Sequence, residues 1–375
     1  MTHRFILKFH PSKSKFIVLI CMMSLMVAAL CTSKPAAANT EHPVNTDDSS
    51  ATIGSIPLVD ENDPAFSKTY AYVLQPPAAA DGTAAPGVPV FASPEDALNN
   101  APPVKLLTPG YDWVTVHGSA ELSATQFTQI NDGQWVYANA LATGRASTFQ
   151  GRVFDKNPAR PFAWVIKAFQ PSLEPGGEAN ADAPSYQRYD LVYIYARALA
   201  GKLMWYRVGE NEWVPQSRVS VVSPRRAPRS MTAQQRLHSK WISVNIFEQN
   251  VAAYEGERLV FVSLVSSGLP KWETVHGTFQ IWSKNVNQAM FNEESGDGRG
   301  HYYLEDVPYT MYFHEDYALH GAYWHDGFGY KHSHGCVNLS PKDAKWLFTW
   351  STPTASQWGY GQASAADPGT WVTVY

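Results

Sequence analysis

The pattern of apolar and polar positions predicts a chain built mostly from β-strands. Alternating side chains flank an Asn/Asp/Gly turn in Thr128–Tyr137, and the same pattern returns in Tyr206–Pro215. Alternation with a period of two around such a turn is typical of a β-hairpin. The spacing of the two hairpins is a plausible module length, so we interpret them as parts of two related modules.

Helical patterns are few and short. One helix is predicted over Thr232–His238 and a second over Pro341–Thr349, where Ser340 precedes the first turn as a cap. The final segment, Thr370–Tyr375, alternates again and predicts a strand. The predicted fold class is therefore mostly β, with two small β-rich modules followed by a β-rich domain that contains short helices; the resemblance given below makes the two modules β-barrel-like.

The N-terminal segment, 1–38, has the composition of an export signal. Basic residues precede the apolar run Phe16–Cys31, which is too short to cross a bilayer comfortably. Ala36–Ala38 matches the small residues of a cleavage site. We expect export and cleavage after Ala38, with an uncleaved membrane anchor as the alternative. The segment 39–68 is polar and unpatterned, which predicts a disordered tether.

Charge narrows the partners that we expect. Without residues 1–38 the chain holds 24 Lys plus Arg against 33 Asp plus Glu, a formal net charge of −9. Proteins that bind nucleic acid usually carry a basic patch, and this acidic sequence offers none. We therefore expect no nucleic-acid partner.

Cysteine usage singles out one residue. Cys21 and Cys31 lie in the predicted signal, so cleavage leaves Cys336 as the one cysteine of an exported protein, and no intrachain disulfide can form. Two histidines, a serine and a glycine lie close to it within Lys331–Pro341, and His320 lies upstream. A thiol of pKa ~8.5 is mostly protonated at neutral pH, and a neighbouring imidazole can take up its proton and later return it to a leaving amine. This combination predicts a cysteine nucleophile with a histidine base.

The residues around this thiol also resemble a known signature. Ser-His-Gly-Cys-Val-Asn at 333–338, with His-Gly upstream at 320–321, is similar to the catalytic signature of L,D-transpeptidases, bacterial cell-wall enzymes with a YkuD-type catalytic domain. The resemblance extends over roughly Lys240–Tyr375. Within it, Lys240–Asn245 with Glu257–Ser263 resembles the family's opening hairpin, and further matches lie between 266 and 281.

The resemblance implies roles for individual residues. It makes Cys336 the nucleophile and His320 the general base and acid, in preference to His334. The other members of the implied site are Ser333 and His334 for orientation, Gly335, whose amide would face an oxyanion beside that of Cys336, and Asn338, Tyr303 and Gly321 for substrate binding. No cofactor and no metal ion are expected.

The two earlier modules resemble bacterial Src-homology-3-like barrels, which often accompany cell-wall enzymes. They would either bind the cell wall or act as spacers. The predicted organisation is a signal peptide over 1–38, a tether over 39–68, a first module over 69–143, a second module over 144–222, a linker over 223–238 and an L,D-transpeptidase catalytic domain over 239–375.

The implied function is acyl transfer on peptidoglycan. Cys336 would form a thioester with a stem peptide, release D-Ala and pass the acyl group to an amine, and carbapenems would acylate the same thiol. Three alternatives stay open: an L,D-carboxypeptidase that uses water as acceptor, a non-catalytic cell-wall-binding protein, and a zinc site built from Cys336 and the histidines between 314 and 334. A polar, glycine-rich stretch within Asn285–Tyr303 is the expected lid over the site.

Overall fold

The computed structural model describes residues 53–54, 66–76, 87–292 and 300–375. The predicted signal peptide, most of the predicted tether and the glycine-rich part of the predicted lid lie outside these residues. In the part of the chain that is described, no helix combines the length and the apolar character that a membrane span requires. The prediction of a mostly β chain is confirmed.

The first part of the described chain contains a short helix, a 3-10 turn and nine strands. These are β1 (Ile53–Gly54), β2 (Thr69–Val73), β3 (Val88–Val90), α1 (Pro94–Leu98), β4 (Lys105–Leu107), β5 (Asp112–Val116), β6 (Gly118–Leu122), β7 (Thr125–Asn131), β8 (Gln134–Tyr137), the 3-10 turn Ala138–Ala140 and β9 (Leu141–Gly144). The predicted hairpin is β7–β8. Its turn contains Gly133 with φ of +62°, a left-handed conformation that glycine adopts without steric cost.

The second part repeats much of this order, without a counterpart of β3, α1 and β4. It comprises β10 (Arg152–Phe154), β11 (Phe162–Val165), β12 (Leu191–Tyr193), β13 (Ala196–Ala200), β14 (Leu203–Gly209), β15 (Glu212–Pro215), a 3-10 turn (Gln216–Arg218) and β16 (Val219–Val222). The pairings β5–β2–β9 and β6–β7–β8 return as β12–β11–β16 and β13–β14–β15. The predicted barrels are wrong, because the strands of each module form separate sheets that do not close.

The last part contains two helices and the remaining strands. They are α2 (Ala233–His238), β17 (Lys240–Asn245), β18 (Asn250–Glu255), β19 (Arg258–Leu264), β20 (Gly277–Gln280), β21 (Ser283–Asn292), β22 (Tyr302–His314), β23 (Tyr317–Gly321), β24 (Val337–Leu339), α3 (Pro341–Trp350), β25 (Tyr360–Gln362) and β26 (Trp371–Val374). Both predicted helices and the final strand are confirmed. As expected, Ser340 caps α3, accepting a hydrogen bond from the Asp343 amide at 3.2 Å.

Two large sheets organise this region, and each includes strands from earlier in the chain. One has the order β1–β10–β19–β18–β17–β26–β20, and the other contains β24–β23–β22–β5–β2–β9 with β21 and β25 attached. Strand β10 lies in the range predicted for the second module, yet it pairs antiparallel with β19. Strand β1, inside the predicted tether, pairs with β10. Strand β5 of the first module pairs in parallel with β22.

Helix α3 closes the core between the sheets. Its buried face contributes Ala344, Leu347 and Phe348 to a cluster with side chains of both sheets. Asp343 in its first turn is fully buried and accepts hydrogen bonds from the Gly151 amide at 2.9 Å and from Ser263 Oγ at 2.6 Å. Burial raises the pKa of this carboxyl to about 6. Because β24 runs directly into α3, these contacts also fix the strand that follows Cys336.

Candidate active site

Two parallel strands place the predicted nucleophile and base on one side of a sheet. In the β23–β24 pairing, His320 lies opposite Asn338. Residues two apart on a strand face the same side, and Cys336 precedes Asn338 by two. All three side chains line a cavity of about 450 Å³. The structure therefore brings together side chains from two different parts of the chain.

Cys336 is the thiol at the floor of this cavity. It is partly exposed, and Sγ donates a weak hydrogen bond to the Asp316 carbonyl, 3.6 Å away. A nucleophile must reach solvent and substrate, which a structural buried cysteine does not. The surroundings of Cys336 fit the first description.

His320 has the environment of a neutral base. It is 2% exposed, and burial lowers its pKa to about 4. Nδ1 lies 3.1 Å from the Gly321 carbonyl, which accepts a hydrogen bond only if Nδ1 carries the proton. Nε2 is then the nitrogen that can take a proton from a thiol. The Trp324 ring, 5.7 Å away between ring centroids, covers the imidazole.

Ser333 braces the turn that carries the thiol. Its Oγ donates to the Cys336 carbonyl and accepts a hydrogen bond from the Gly335 amide at 3.1 Å. The Gly335 amide was expected to face an oxyanion, and in this structure it is engaged with Ser333 instead. The expectation for the Cys336 amide stays a prediction. Gly335 itself is required by its φ of +132° and by Tyr317, whose ring lies 2.9 Å from where a Cβ would be.

Aromatic side chains form another wall of the cavity. The His334 ring lies 4.2 Å from that of Trp272 and 5.2 Å from that of Tyr302, measured between centroids. Tyr302 lines the cavity, whereas Tyr303, the predicted substrate contact, does not. Successive residues of β22 face opposite sides of the sheet, so Tyr302 is the one that faces the cavity, and substrate contact by Tyr303 stays a prediction.

Asn338 is held by a histidine that the sequence did not single out. Its side-chain amide lies 2.9 Å from His325 Nε2, and His325 Nδ1 accepts the Gly327 amide at 3.0 Å. Burial, followed by the charges of neighbouring side chains, lowers the pKa of His325 to about 3, so the neutral ring carries its proton on Nε2. Asn338 must then accept that proton with its oxygen. Its NH₂ group takes the buried position that has no protein partner and can donate to a ligand.

Gly321 packs closely against its neighbours, and its part in substrate binding stays a prediction. It is absent from the cavity lining, and a Cβ there would meet Pro308 Cγ at 2.8 Å and Pro341 Cα at 3.0 Å. Its carbonyl orients His320, as described above. Gly321 thus supports the base through the backbone.

Several lining residues escaped sequence reasoning. They are Tyr111 and Trp113 of the first module together with Asp316, Tyr317 and Trp324. The last three lie close to His320 in sequence, and a search of that neighbourhood could have found them. Tyr111 and Trp113 lie far upstream, in another module, and carried no signal of their own.

Metal ligation was the main chemical alternative for the histidine-rich stretch. Among the described residues, no three His, Cys, Asp or Glu side chains converge in a way that could hold a metal ion. His325 and His332 lie close, 4.2 Å between ring centroids, but His325 is engaged with Asn338 and Gly327.

Comparison with known proteins identifies the domain that holds this cavity. A family model described as the L,D-transpeptidase catalytic domain, YkuD, matches residues 239–374. Residues 239–374 belong to the YkuD family. The YkuD domain supplies Cys336, His320 and Asn338, and both preceding modules lie outside it. The resemblance of those modules to Src-homology-3-like domains is not confirmed.

Individual proteins similar to this chain include L,D-transpeptidases. A putative L,D-transpeptidase of Bacillus subtilis (strain 168), YciB, is 29% identical over 119 residues, which cover 29% of this chain and 59% of the relative. The chain thus spans less than two thirds of that relative. The solved catalytic domain of an Enterococcus faecium L,D-transpeptidase is 23% identical with a TM-score of 0.30, covering 37% of this chain and 98% of that one. An L,D-transpeptidase from Mycobacterium smegmatis is 16% identical with a TM-score of 0.30, covering 62% and 95%.

Proposed function

We propose that this protein is an exported peptidoglycan L,D-transpeptidase that works through a thioester on Cys336. The observation that carries the proposal is the convergence of Cys336, His320 and Asn338 on one cavity of a YkuD domain. A partly exposed thiol, a buried neutral imidazole and an unpartnered amide group are the nucleophile, base and positioning donor that acyl transfer needs.

The residues support a two-step reaction. Sγ of Cys336 attacks the carbonyl of the third residue of a tetrapeptide stem while its proton passes to His320 Nε2. His320 returns the proton to the departing amine, so D-Ala leaves and a thioester remains. An amine of a neighbouring stem then attacks the thioester, forms an amide and restores the thiol. The thioester conserves the activation of the acyl group, so the reaction needs no nucleotide outside the cytoplasm.

The pKa of His320 shapes the first step. With a pKa of about 4, the imidazole is neutral at the pH of the cell surface and is ready to accept a proton. Such a histidine does not hold the thiol as a thiolate beforehand. Proton transfer and attack on the carbonyl therefore occur together, and the base stays competent well below pH 6.5.

Export is the second part of the proposal. Its support is the basic and apolar sequence of residues 1–38 and the absence of a need for nucleotides. Protein recovered outside the cytoplasm is expected to have the intact mass of a chain that begins at Asn39. If the membrane fraction instead contains protein whose mass includes residues 1–38, the protein is anchored and not secreted.

The first experiment is intact-mass analysis of the protein incubated with a tetrapeptide stem or with a carbapenem. We expect one carbapenem adduct and a cross-linked stem dimer. Cys336→Ala removes both, since it lacks the attacking sulfur, and His320→Ala lowers acylation by about 10² to 10⁴-fold, the usual worth of a general base. His276→Ala is the matched control, because His276 is exposed and does not line the cavity.

The outcomes separate the alternatives. Tripeptide without dimer identifies an L,D-carboxypeptidase, because water has then replaced the amine. A protein that binds cell wall but forms neither adduct nor product is the non-catalytic binding protein. An adduct that persists in Cys336→Ala contradicts the proposed nucleophile.

A further inference from the structure

The catalytic cavity has a wall that the YkuD domain does not supply. Gly110, Tyr111 and Trp113 of the first module line it, and we call these three residues the module wall. The pairing of β5 with β22 accounts for their position, because it places Tyr303 opposite Asp112 and so sets Tyr111 and Trp113 at the edge of the YkuD domain. The site is therefore built from two regions of the chain.

Buried polar contacts fix the module wall in register. Asp112 is 3% exposed, accepts a hydrogen bond from the Thr108 amide at 2.7 Å, and lies 2.7 Å from His301 Nε2. The Tyr303 amide donates to the Tyr111 carbonyl at 3.3 Å. Removing the hydrogen-bond partners of a buried carboxylate costs free energy, because the charge is then left unsatisfied. The wall is thereby held against the YkuD domain.

Further along β5 a second set of contacts joins the same surfaces. The Thr115 amide donates to Glu305 Oε2 and its hydroxyl donates to Asp306 Oδ2, each at 2.8 Å. Tyr70 stacks on Tyr323 with 3.6 Å between ring centroids. These contacts make the first module a fixed part of the cavity, not a tethered neighbour.

The Tyr111 ring of the module wall is open to a ligand, and the half-buried Trp113 ring lies beside it in the cavity lining. Tyr111 is 62% exposed although it lines the cavity, and Phe291 of β21, also in the lining, is 59% exposed. Trp113 is held by the Tyr323 ring, 5.8 Å away. Exposed aromatic surface that continues into a cavity is typical of a ligand site.

The charge of the wall points to one part of the substrate. Its three residues are neutral, and no Lys or Arg occurs among the described residues that line the cavity. Arg and Lys are the side chains that recognise the carboxylates of a peptide. A neutral aromatic surface instead suits an uncharged ring with an apolar face and polar edges. In peptidoglycan that ring is a sugar.

We infer that Tyr111 and Trp113 form a subsite for a sugar ring of the glycan strand that carries the donor stem peptide. The inference rests on the proposed function, because the ligand is the glycan portion of the same substrate. A sugar held on the module wall tethers its stem peptide in the cavity beside Cys336. The subsite thus lowers KM for glycan-linked stems and leaves the chemistry at the thiol unchanged.

The test compares two substrates on the full chain. Wild type is expected to prefer a disaccharide-linked tetrapeptide over the free tetrapeptide. Tyr111→Ala should lower kcat/KM for the disaccharide-linked substrate by about tenfold, the size of one aromatic contact, through KM and with kcat retained. The free tetrapeptide and carbapenem acylation should change less than about twofold, because neither carries the sugar.

The matched control is Phe247→Ala. Phe247 is an exposed aromatic residue of the YkuD domain, 76% exposed, and it does not line the cavity. This variant should behave as wild type with both substrates. An equal loss with both substrates in Tyr111→Ala would mean that the wall binds peptide, and no loss with either would remove the subsite altogether.

A binding measurement separates this inference from the proposed reaction. Calorimetry should detect binding of an uncharged disaccharide of N-acetylglucosamine to the Cys336→Ala variant. Adding Tyr111→Ala should weaken the affinity for this disaccharide by about tenfold. Failure of all turnover with this binding intact would overturn the reaction and keep the subsite. Turnover without any sugar dependence would do the reverse.

Discussion

The first and second modules share their elements yet meet the YkuD domain differently. From β6 to β9 and from β13 to β16 the elements follow in the same order and with the same lengths. The first module joins the YkuD domain through backbone pairing of β5 with β22. In the range predicted for the second module, only β10 pairs by backbone with the YkuD domain among the described residues, at β19 and away from the cavity. The three-stranded sheet β12–β11–β16 packs against the domain through side chains.

This difference shows how one structural unit serves two purposes. Backbone pairing fixes β5 with a set register, so the first module presents chosen side chains to the cavity. Side-chain packing offers a broad apolar surface, and the second module uses Phe162 and Trp164 against Trp241, Leu259 and Val262. The first module contributes to the site, and the second supports the sheet behind it.

The second module also contacts the loop before the turn that carries Cys336. Arg188 donates to the carbonyls of Asp326 at 2.6 Å and Phe328 at 3.0 Å, and the Tyr189 hydroxyl donates to Asp326 Oδ1 at 2.8 Å. The Tyr330 hydroxyl donates to the Ile166 carbonyl at 3.2 Å. The second module therefore supports the loop that runs from His325 towards Cys336.

The largest expected effect tests this supporting role. Trp164→Ala should lower the free energy of unfolding by about 3–5 kcal/mol, because Trp164 is 1% exposed and its loss leaves a cavity in the shared core. Denaturant unfolding measures the change, and the folded fraction should still be acylated by a carbapenem. Leu199→Ala, at a position 69% exposed, is the control and should stay within about 0.5 kcal/mol. A change below about 1 kcal/mol in Trp164→Ala would show that the second module is only loosely attached.

The next largest expected effect is the loss of the hydrogen bonds that Arg188 donates to the loop. Arg188→Gln removes the charge-assisted bonds to two carbonyls and should cost about 1.5–3 kcal/mol in unfolding free energy. Acylation of Cys336 should slow as well, because the loop that positions His325 and Asn338 is released. Arg197→Gln, on an exposed strand position of the same module, is the control. Unchanged acylation with lowered stability would confine the second module to a structural role.

The smallest expected effect, counted for one histidine and one pH unit, comes from two histidines of the YkuD domain, His320 and His325. The pKa values of His320 and His325 fall to about 4 and about 3, so below pH 6.5 the unfolded chain binds protons that the folded chain refuses. The free energy of unfolding therefore has its full value above pH 6.5. It decreases as the pH is lowered, by up to about 1.4 kcal/mol per pH unit for each histidine. Asp343, with its raised pKa of about 6, acts in the opposite direction between about pH 6 and 4.

A difference measurement isolates the histidine contribution. Unfolding free energies of wild type and His320→Asn are compared between pH 7 and 4, and the variant should lose stability less steeply. His276→Asn should keep the wild-type slope, since His276 is exposed. Parallel curves for wild type and His320→Asn would contradict the low pKa of His320.

Local sequence signals predicted the elements but not their long-range partners. The hairpin turns, the cap at Ser340 and the cluster of Cys336 with His320 were predicted from local patterns, and the structure contains each of them. The pairing of β5 with β22 joins strands from distant parts of the chain. The sequence of neither strand indicates which strand it pairs with. Alternation along β22 predicted a strand and left open which of Tyr302 and Tyr303 faces the cavity.

The short strand β10 has a consequence for solubility. Strand β19 holds the apolar run Leu259–Val262, and its outer edge is covered only by β10 and, beyond it, β1 among the described residues. A fragment limited to residues 239–374 would leave the amides and carbonyls of that edge unpaired. Exposed apolar edges recruit strands from other molecules. By covering this edge, the short β10 therefore protects the protein from self-association. A fragment cut at the bounds of the family match is expected to aggregate.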